Sequence, residues 1–439
     1  MKKLTFIALI LCISGCTKKE NWQPATKSTE PLLGALHALN EVILHDVFSP
    51  PVASRILAYT SIAAYEASIV NQPGFKSLAG QLKALNNIPK PTKDVEISSE
   101  IAGFSAFIGM SKKLVFSPAM MDAYANKVYA HYEKAGVPSK VLQASKNYGE
   151  AVATHIADWA KKDQYKETRS APKYTLVTND PSRWIPTPPM YKEALEPHWQ
   201  SIRTFAVDNA AQFTMLPFPK YNPDKNSPFY KDLMETYNVA KNLSEEQKAI
   251  ALFWDDNAFA LQVHGHAMFG VKKVTPGGHW MNIAAVAIRQ KKRSVTEATE
   301  SFARVAIAIS DGFITCWYGK YATNRVRPET VINREMDEKW MPFLQTPPFP
   351  EYPSGHSTIS RAAAEVLTQL HGDGFAFQDT TNVRYGNKAR SFTSFRHAAD
   401  EASISRVYGG IHYRTGTDGG ADLGRKVGEW HNQKIKTRS

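Results

Sequence analysis

Apolar residues recur every three or four positions along most of the chain, and this spacing predicts α-helices. The first clear run follows Pro31 and includes Leu32, Leu36, Leu39 and Ile43. Further runs of this kind cover residues 52–63, 99–132, 139–161 and much of 244–434. No alternating apolar and polar run of useful length predicts a β-strand. The pattern therefore predicts an all-α fold.

Residues 165–228 break the helical pattern. Ten prolines in this stretch exclude long helices. Its aromatic residues give it apolar anchors that a disordered linker would lack: Trp184, Trp199, Phe205, Phe213 and Phe218. We predict an ordered crossing segment between two helical halves, 31–228 and 229–439, which pack as two helix bundles. Helices are expected to resume at Ser244, where Ser244 and Gln247 have the spacing of a capping box, and Ser294 and Glu297 have the same spacing further on.

The N-terminus has the features of an export signal. A basic start precedes an apolar run from Leu4 to Ile13 that is too short to span a bilayer. The sequence Ile13-Ser14-Gly15-Cys16 resembles a bacterial lipobox, in which the cysteine carries lipid. We therefore expect a signal peptide over 1–16, a polar tether over 17–30, and a cell-envelope lipoprotein of a Gram-negative bacterium, at the outer membrane or in the periplasm. The alternative is an ordinary secretory signal.

Composition narrows the function classes. The formal charge is +12, but no block of Lys and Arg with interleaved aromatics indicates nucleic-acid binding. Such a charge suits anionic ligands or an anionic surface, although a solvated basic protein surface is the simpler explanation. Once the signal is removed, Cys316 is the one cysteine besides Cys16. The mature chain therefore has neither an intramolecular disulfide nor a cysteine cluster for a metal.

Three segments of the C-terminal half carry candidate chemistry. In the first, Lys320 and Arg327 are seven residues apart, so they would share one face if the segment were helical. Two cations on one face repel each other unless an anion or a carboxylate lies between them. Pro328 would then end or kink the helix. Taken alone, the segment fits a solvated basic face as well as an anion clamp.

The second segment is Tyr352-Pro-Ser-Gly-His-Ser357, just ahead of a helical run. Ser354 and Gly355 would leave backbone N–H groups free at the positive end of that helix, which favours an anion. His356 could titrate near neutral pH and act as an acid or a base. Simple N-capping by Ser354 is the alternative.

The third segment is Ser405-Arg-Val-Tyr-Gly-Gly-Ile-His-Tyr-Arg414. The glycine pair should end the helix that begins near Phe395 and redirect His412. Arg406 precedes that histidine by six residues. Three segments with candidate anion-binding residues lie within about ninety residues. Together they predict one oxyanion site inside the C-terminal bundle.

Together, K-x6-RP, PSGH and SR-x5-H resemble the signature shared by vanadium-dependent haloperoxidases and type-2 phosphatidic-acid phosphatases, bacterial acid phosphatases included. The wider chain looks like the bacterial haloperoxidase branch in three further segments: Ser49–Arg55, Trp184–Pro189 and Phe253–Asn257. The resemblance implies an enzyme that oxidises halide with hydrogen peroxide and uses vanadate as cofactor.

The resemblance also implies residue roles. Lys320, Arg327 and Arg406 would neutralise the equatorial oxygens of vanadate, assisted by the Ser354 hydroxyl and the Gly355 N–H. His412 would ligate vanadium through a ring nitrogen. His356 would hydrogen-bond the opposite apical oxygen and take the proton from hydrogen peroxide.

The phosphatase alternative uses the same residues, with His412 as the nucleophile that becomes phosphorylated and His356 as the acid. That family continues H-x3-D, where the aspartate orients the histidine, but this chain has Gly416 at that position. Asp418 lies two residues further on and could substitute for it. The missing carboxylate favours the haloperoxidase, because a coordinate bond itself fixes a ligand ring.

Trp317 and Phe349 match the aromatic pair that lines the halide side of fungal and bacterial haloperoxidases. Iodide and bromide are the expected halides, since chloride is the hardest to oxidise. The organic acceptor and the oligomeric state are not written in the sequence.

Two weaker candidates remain. Asp255 and Asp256 could support an active-site arginine, with capping or surface exposure as the alternative. His264 and His266 have metal-like spacing but diverge on a helix, which favours packing. A further alternative function is that of a non-catalytic surface lipoprotein that binds glycans. It would leave the three basic segments unexplained.

Overall fold

The computed structural model describes residues 22–257 and 273–439 in full, and the backbone alone of 261–264 and 267–270. The helices of the N-terminal half are α1 (Gln23–Thr26), α2 (Glu30–His45), α3 (Pro50–Ser68), α4 (Ser99–Lys112), α5 (Pro118–Lys134), α6 (Ser139–Ala160) and α7 (Tyr165–Ser170). The helices of the C-terminal half are α8 (Pro228–Lys241), α9 (Glu245–Phe253), α10 (Pro276–Gln290), α11 (Val295–Thr323), α12 (Pro328–Glu335), α13 (Gly355–His371), α14 (Phe395–Tyr408) and α15 (Arg414–Lys434). The all-α prediction is confirmed.

The strands of the described residues are short and form two antiparallel hairpins. They are β1 (Leu261–His264) with β2 (Ala267–Gly270), and β3 (Phe377–Asp379) with β4 (Arg390–Phe392). The sequence analysis predicted none of them, because three or four residues are too few to establish an alternating pattern. Single turns of 3-10 helix occur at Trp199–Ser201 and Val383–Tyr385.

The two helical halves share one apolar core. Helix α3 packs against α4 and α6 of its own half and against α11 of the other. One cluster of buried apolar side chains accordingly runs from Trp22 to Ile435. The expectation of two packed bundles holds, and α11 is the helix that joins them.

Local capping explains several helix starts. The predicted capping boxes are present: the Ser244 side chain accepts from the Gln247 N–H, and Gln247 reciprocates. The same exchange between Ser294 and Glu297 begins α11. Helix α8 was not predicted, since the proline-rich segment before it obscured its start at Pro228, where proline is well tolerated.

The predicted tether is partly wrong within the described residues. Trp22 is buried in the main core, and Lys27 forms an ion pair with Glu100 at the start of α4. Residues 22–29 are therefore packed against the protein, because a single large aromatic side chain anchors an otherwise polar stretch. The signal peptide, Cys16 and residues 17–21 lie outside the described residues.

Helix α11 carries the first candidate segment at its end. It is 29 residues long and almost entirely buried, and it stops at Asn324, which adopts a left-handed conformation with φ 49°. Lys320 and Arg327 therefore do not lie on one continuous helix, so the condition for a shared helix face is not met. Pro328 likewise does not end a helix but begins α12. The chain turns between the two cations and brings them to one place by tertiary packing.

The crossing segment holds this turn in position. The Val326 N–H donates to the Ser182 carbonyl (2.9 Å), and the Trp184 N–H donates to the Asn324 carbonyl (3.0 Å). Further along, the Leu195 carbonyl accepts from the Trp317 indole (3.2 Å). The proline-rich stretch is thus ordered, as predicted.

Asp311, in the middle of α11, fixes another part of the crossing segment. Its buried carboxylate accepts from the N–H groups of Phe205 (2.7 Å), Ala206 (2.9 Å) and Val207 (3.0 Å). His431 of α15 adds a fourth contact at 3.0 Å. One side chain therefore connects the loop, α11 and α15.

We predict that Asp311→Ala lowers the free energy of unfolding by about 3–5 kcal/mol, because three buried N–H groups lose their acceptor. Denaturant titration measures the loss, and limited proteolysis should show faster cleavage within 165–228. Asp158→Ala, which removes an exposed carboxylate paired with Lys161, is the control and should leave stability almost unchanged. A loss below about 1 kcal/mol for Asp311→Ala would contradict this role.

Candidate functional site

The three candidate segments meet at the ends of four helices. Lys320 is in the last turn of α11 and Arg327 caps α12. Ser354 caps α13, and Arg406 lies in the last turn of α14. The ends of helices have backbone N–H and C=O groups without intrahelical partners. Several helix ends that meet in an apolar core therefore form a polar site. The small cavity there is lined by Pro50, Pro276, Phe313, Trp317, Pro347, Phe349, Gly355, His356, Arg406 and His412.

Lys320 is fully buried and contacts only acceptors that carry no net charge. Its ammonium donates to the carbonyls of Pro350 (3.0 Å), Glu351 (3.1 Å) and Pro353 (2.6 Å). Burial is the main cause that lowers the pKa of Lys320 to about 7, and the charge of nearby Arg327 contributes to this lowering. A bound anion would raise this pKa and stabilise the charged form.

Arg327 and Arg406 are buried with unused donors. Arg327 donates to the carbonyls of Phe349 (3.0 Å) and Ile411 (2.8 Å), while its Nη2 atom has no partner among the described residues. Arg406 donates to the Trp254 carbonyl (3.0 Å), and its Nε atom likewise lacks a described partner.

Within the described part of the chain, none of these three cations has a carboxylate within ion-pair distance. A buried charge without a counterion is costly, and a bound anion would remove that cost. The unpaired donors of the two arginines fit the oxygens of a tetrahedral oxyanion. The structure therefore brings the three predicted cations together, although Lys320 and Arg327 are separated by a helix end.

His356 is also buried with an unused nitrogen. Its Nε2 atom has no partner among the described residues. Burial holds the pKa of His356 well below its usual range, and the charge of Arg406 lowers it further. The expected titration near neutral pH is therefore wrong for the protein alone. The ring is neutral there and can accept a proton.

His412 lies between a cation and a carboxylate. Its Nε2 atom is 3.1 Å from Arg327 Nη1, and its Nδ1 atom is 2.7 Å from Glu351 Oε1. Burial and the neighbouring cations hold the pKa of His412 well below its usual range. Glu351 was missed in the sequence analysis, although a lone acid among prolines, two residues before the PSGH motif, was a usable signal.

The suggested substitute, Asp418, does not serve His412. It lies exposed on α15, and Glu351 occupies the position beside the ring instead. The inference that His412 lacks an orienting carboxylate was therefore wrong.

Ser354 caps α13, as the alternative interpretation predicted. Its hydroxyl accepts from the Ser357 N–H (3.4 Å) as the cap of α13 and contacts the Ser357 hydroxyl (2.9 Å). Gly355 begins the helix beside the cavity, where the N–H groups of a first turn have no intrahelical acceptor. The cap and the anion-binding helix start are therefore compatible.

Comparison with known proteins identifies the chain's relatives. Residues 300–438 match the family model of the VCPO second helical-bundle domain. A solved structure described as the first bacterial vanadium-dependent iodoperoxidase is 44% identical, with a TM-score of 0.89. That alignment covers 94% of this chain and 97% of that chain. The chain belongs to the vanadium-dependent haloperoxidases.

More distant haloperoxidases share the fold. The apo form of a bacterial vanadium-dependent chloroperoxidase is 16% identical, with a TM-score of 0.66 over 88% of this chain and 94% of that chain. A holo form, also 16% identical, gives a TM-score of 0.61 over 94% and 95%. No curated protein gives a significant match. The predicted family is confirmed, while the roles of individual residues stay predictions.

Two aromatic side chains form the part of the cavity that is predicted to bind halide. The rings of Trp317 and Phe349 are 5.0 Å apart and tilted by 54°. Lys320 lies over the Phe349 ring at 4.8 Å. Both aromatic residues line the cavity, so the structure places them beside His356, Arg406 and His412, as expected.

Asp255 and Asp256 are both buried, so surface exposure is wrong for them. Asp255 forms an ion pair with Lys273 at 2.5 Å, and both carboxylates raise the pKa of Arg406 against the larger lowering by burial. The side chains of His264 and His266 lie outside the described residues.

Behind Arg406 is a charged network that the sequence analysis missed. His279 contacts Asp256 at 2.9 Å through Nδ1 and Asp379 at 2.7 Å through Nε2. Its ring stacks on Trp254, whose carbonyl accepts from Arg406. The glycine pair Gly277-Gly278 before this histidine gave only a weak signal, and Asp379 is a hundred residues away.

His279 is protonated at neutral pH, since each of its ring nitrogens faces a buried carboxylate. Burial lowers the pKa of His279, but attraction to Asp256 and Asp379 outweighs burial and raises the pKa to about 10. A histidine with a raised pKa stabilises the fold fully below its unfolded value of 6.5, and this stabilisation is lost as pH rises through 10.

We predict that His279→Gln lowers the free energy of unfolding most at pH 6, and that its difference from wild type shrinks towards pH 10. Urea titrations at pH 6, 8 and 10 measure this difference. His397→Gln, at an exposed position, is the control and should leave all three values close to wild type. An equal loss for His279→Gln at every pH would show that the buried ring is neutral.

Proposed function

We propose that this protein is a haloperoxidase that oxidises halide with hydrogen peroxide and holds vanadate as its cofactor. One observation carries the proposal: three buried cations lack a carboxylate partner within the described residues and surround His412. Membership of the vanadium-dependent haloperoxidases supports vanadate as the anion that fits there.

The side chains divide the work of holding the cofactor. Lys320, Arg327 and Arg406 would neutralise its oxygens, with the Ser354 hydroxyl and the Gly355 N–H completing the cradle. His412 Nε2 would supply the one nitrogen ligand. Bound vanadate supplies a Lewis acid that polarises peroxide without changing its own oxidation state.

His356 is proposed as the proton acceptor. Its neutral ring and unused Nε2 atom suit it to take a proton from incoming hydrogen peroxide. The surrounding cations disfavour its protonated form in the protein alone, so a bound anion would bring its pKa closer to the working pH.

Iodide is the proposed preferred halide, with bromide second. The 44%-identical relative is described as an iodoperoxidase, whereas the described chloroperoxidase is only 16% identical. Iodide is also the easiest of the three halides to oxidise. The cavity beside Trp317 and Phe349 has room for a few atoms, about 30 Å³, so a large organic acceptor would react outside it.

An acid phosphatase remains the second candidate for one specific reason. Glu351 lies against His412 as an orienting carboxylate would, so this histidine is also arranged to attack phosphorus. The resting cradle fits phosphate and vanadate alike.

A paired assay tests the proposal. Halide oxidation is measured with peroxide and vanadate, and phosphomonoester hydrolysis is measured without vanadate. We expect vanadate-dependent oxidation of iodide, weaker oxidation of bromide, and inhibition by phosphate, which competes for the same cations. Hydrolysis without any vanadate-dependent halide oxidation would overturn the proposal in favour of the phosphatase.

The two histidines should fail in different ways. His412→Ala removes the nitrogen ligand and should weaken vanadate binding strongly. His356→Ala leaves the ligand and the cations in place, so binding should persist while turnover falls by a factor of ~10² to 10⁴. Equilibrium dialysis with vanadate and iodide-oxidation rates measure the two effects, with surface-exposed His397→Ala as the control. The opposite pattern would reverse the assigned roles.

We further propose that the protein is an envelope lipoprotein anchored through Cys16. The lipobox-like sequence before Cys16 supports this. In the described residues, no helix is long and apolar enough to cross a membrane. Two acyl chains on the cysteine would provide stable anchoring where one would be marginal.

Cys16→Ala should therefore move the protein from the membrane fraction to the soluble fraction of the envelope. Cell fractionation with immunodetection measures the change. Cys12→Ala, within the segment removed with the signal, is the matched control and should stay in the membrane. Membrane retention of Cys16→Ala would contradict the anchor.

A further inference from the structure

Glu351 is a fully buried acid held between two partners. Its Oε1 atom is 2.7 Å from His412 Nδ1, and its Oε2 atom accepts from Arg325 Nη1 at 3.0 Å. Arg325 is held in turn by Asp232 at 3.1 Å and lies over the Tyr413 ring at 4.2 Å. The carboxylate therefore has little freedom to move away from the histidine.

These contacts determine the tautomer of His412. A guanidinium can only donate, so the contact from Arg327 requires His412 Nε2 to be the acceptor. A carboxylate can only accept, so the contact to Glu351 requires His412 Nδ1 to carry the proton. Both neighbours favour the same form, with the Nε2 lone pair on the side of the cations.

Gly416 shows that this carboxylate fills a defined space. A Cβ atom at Gly416 would lie 1.8 Å from Glu351 Oε1, a distance that no packing tolerates. Gly416 is four residues after His412, where the phosphatase pattern carries its orienting aspartate. In this chain an acid from before the PSGH motif occupies that space, so a side chain at position 416 would collide with Glu351.

We propose that Glu351 is the positioning residue of the site: it holds His412 as the Nδ1–H tautomer with Nε2 directed at the oxyanion, from the space that Gly416 leaves open. The proposal rests on the proposed function for the identity of the anion. The tautomer itself belongs to the protein without cofactor, so it can be measured separately.

Glu351→Gln is the sharpest variant. It keeps the shape of the side chain, but Arg325 can only donate and therefore takes the amide oxygen. The amide NH₂ then faces His412 Nδ1 and favours the opposite tautomer, with the proton on Nε2. A purely structural role would tolerate this substitution, whereas a positioning role would not.

The first measurement is ¹⁵N NMR of histidine-labelled protein without cofactor, with the His412 signals assigned by their loss in His412→Gln. We expect a protonated Nδ1 in wild type. In Glu351→Gln we expect a partial or complete shift of the proton to Nε2, since only Arg327 still favours the wild-type form. Asp232→Asn is the matched control, since it removes the other acid from Arg325 and should leave the wild-type pattern. An unchanged tautomer in Glu351→Gln would overturn the proposal.

The second measurement is anion affinity by calorimetry, with vanadate and inorganic phosphate as separate probes. Loss of an outer carboxylate that orients a ligand histidine typically costs about 10- to 100-fold in affinity. We expect a loss in this range for vanadate with Glu351→Gln and a much smaller loss with Asp232→Asn. Wild-type vanadate affinity in Glu351→Gln would contradict the proposal.

A transfer of the carboxylate completes the test. Gly416→Asp alone should bind vanadate poorly, because its side chain meets Glu351. Combined with Glu351→Ala, the aspartate enters the vacated space and should recover vanadate affinity relative to Glu351→Ala alone. A folded double variant that recovers nothing would contradict the equivalence of the two positions.

The positioning role of Glu351 and the proposed haloperoxidase activity can be contradicted by different results. A wild-type protein with the predicted tautomer and phosphate binding but no halide oxidation would contradict the haloperoxidase and support the role of Glu351. Wild-type rates of vanadate-dependent halide oxidation in Glu351→Gln would support the haloperoxidase and contradict the role of Glu351.

Discussion

The burial of uncompensated positive charge is the constraint on which the site depends. Lys320 and Arg327 are 0% exposed and Arg406 is 1% exposed, and none has a carboxylate at ion-pair distance within the described residues. Such an arrangement costs folding free energy unless an anion binds. A rigid helical scaffold must therefore supply enough apolar burial to hold these charges together before the ligand arrives.

The scaffold does this by gathering helix ends. Helix α11 crosses the core and stops at Asn324 in a left-handed turn, so that Arg327 returns towards Lys320. Helix α14 stops before Gly410, whose φ of 75° sends the chain back to present His412. The long crossing segment braces the first of these turns by backbone pairing. A loop-rich segment between two bundles thereby contributes to the precision of the site.

Buried carboxylates lie near this positive cluster without forming ion pairs with its three cations. Glu351 reaches His412, while Asp256 reaches Arg406 indirectly, through the charged His279 and the stacked Trp254. Neither acid forms an ion pair with the three cations, so the cluster keeps its capacity for an anion. This architecture explains why the phosphatase and haloperoxidase patterns are hard to separate. The proposed cradle would recognise oxygens and negative charge, which phosphate and vanadate both have.

The sequence by itself determined the helical fold, the capping boxes, the crossing segment and the three basic segments, because periodicity, capping and turn residues act over a few positions. It did not determine that Lys320 and Arg327 lie on either side of a helix end, that Trp22 packs into the core, or that short strands form. Only the tertiary structure paired His412 with Glu351 and His279 with Asp379, 61 and 100 residues apart. Contacts between residues so far apart in sequence depend on the tertiary packing of the whole chain, and local sequence spacing contains no information about that packing.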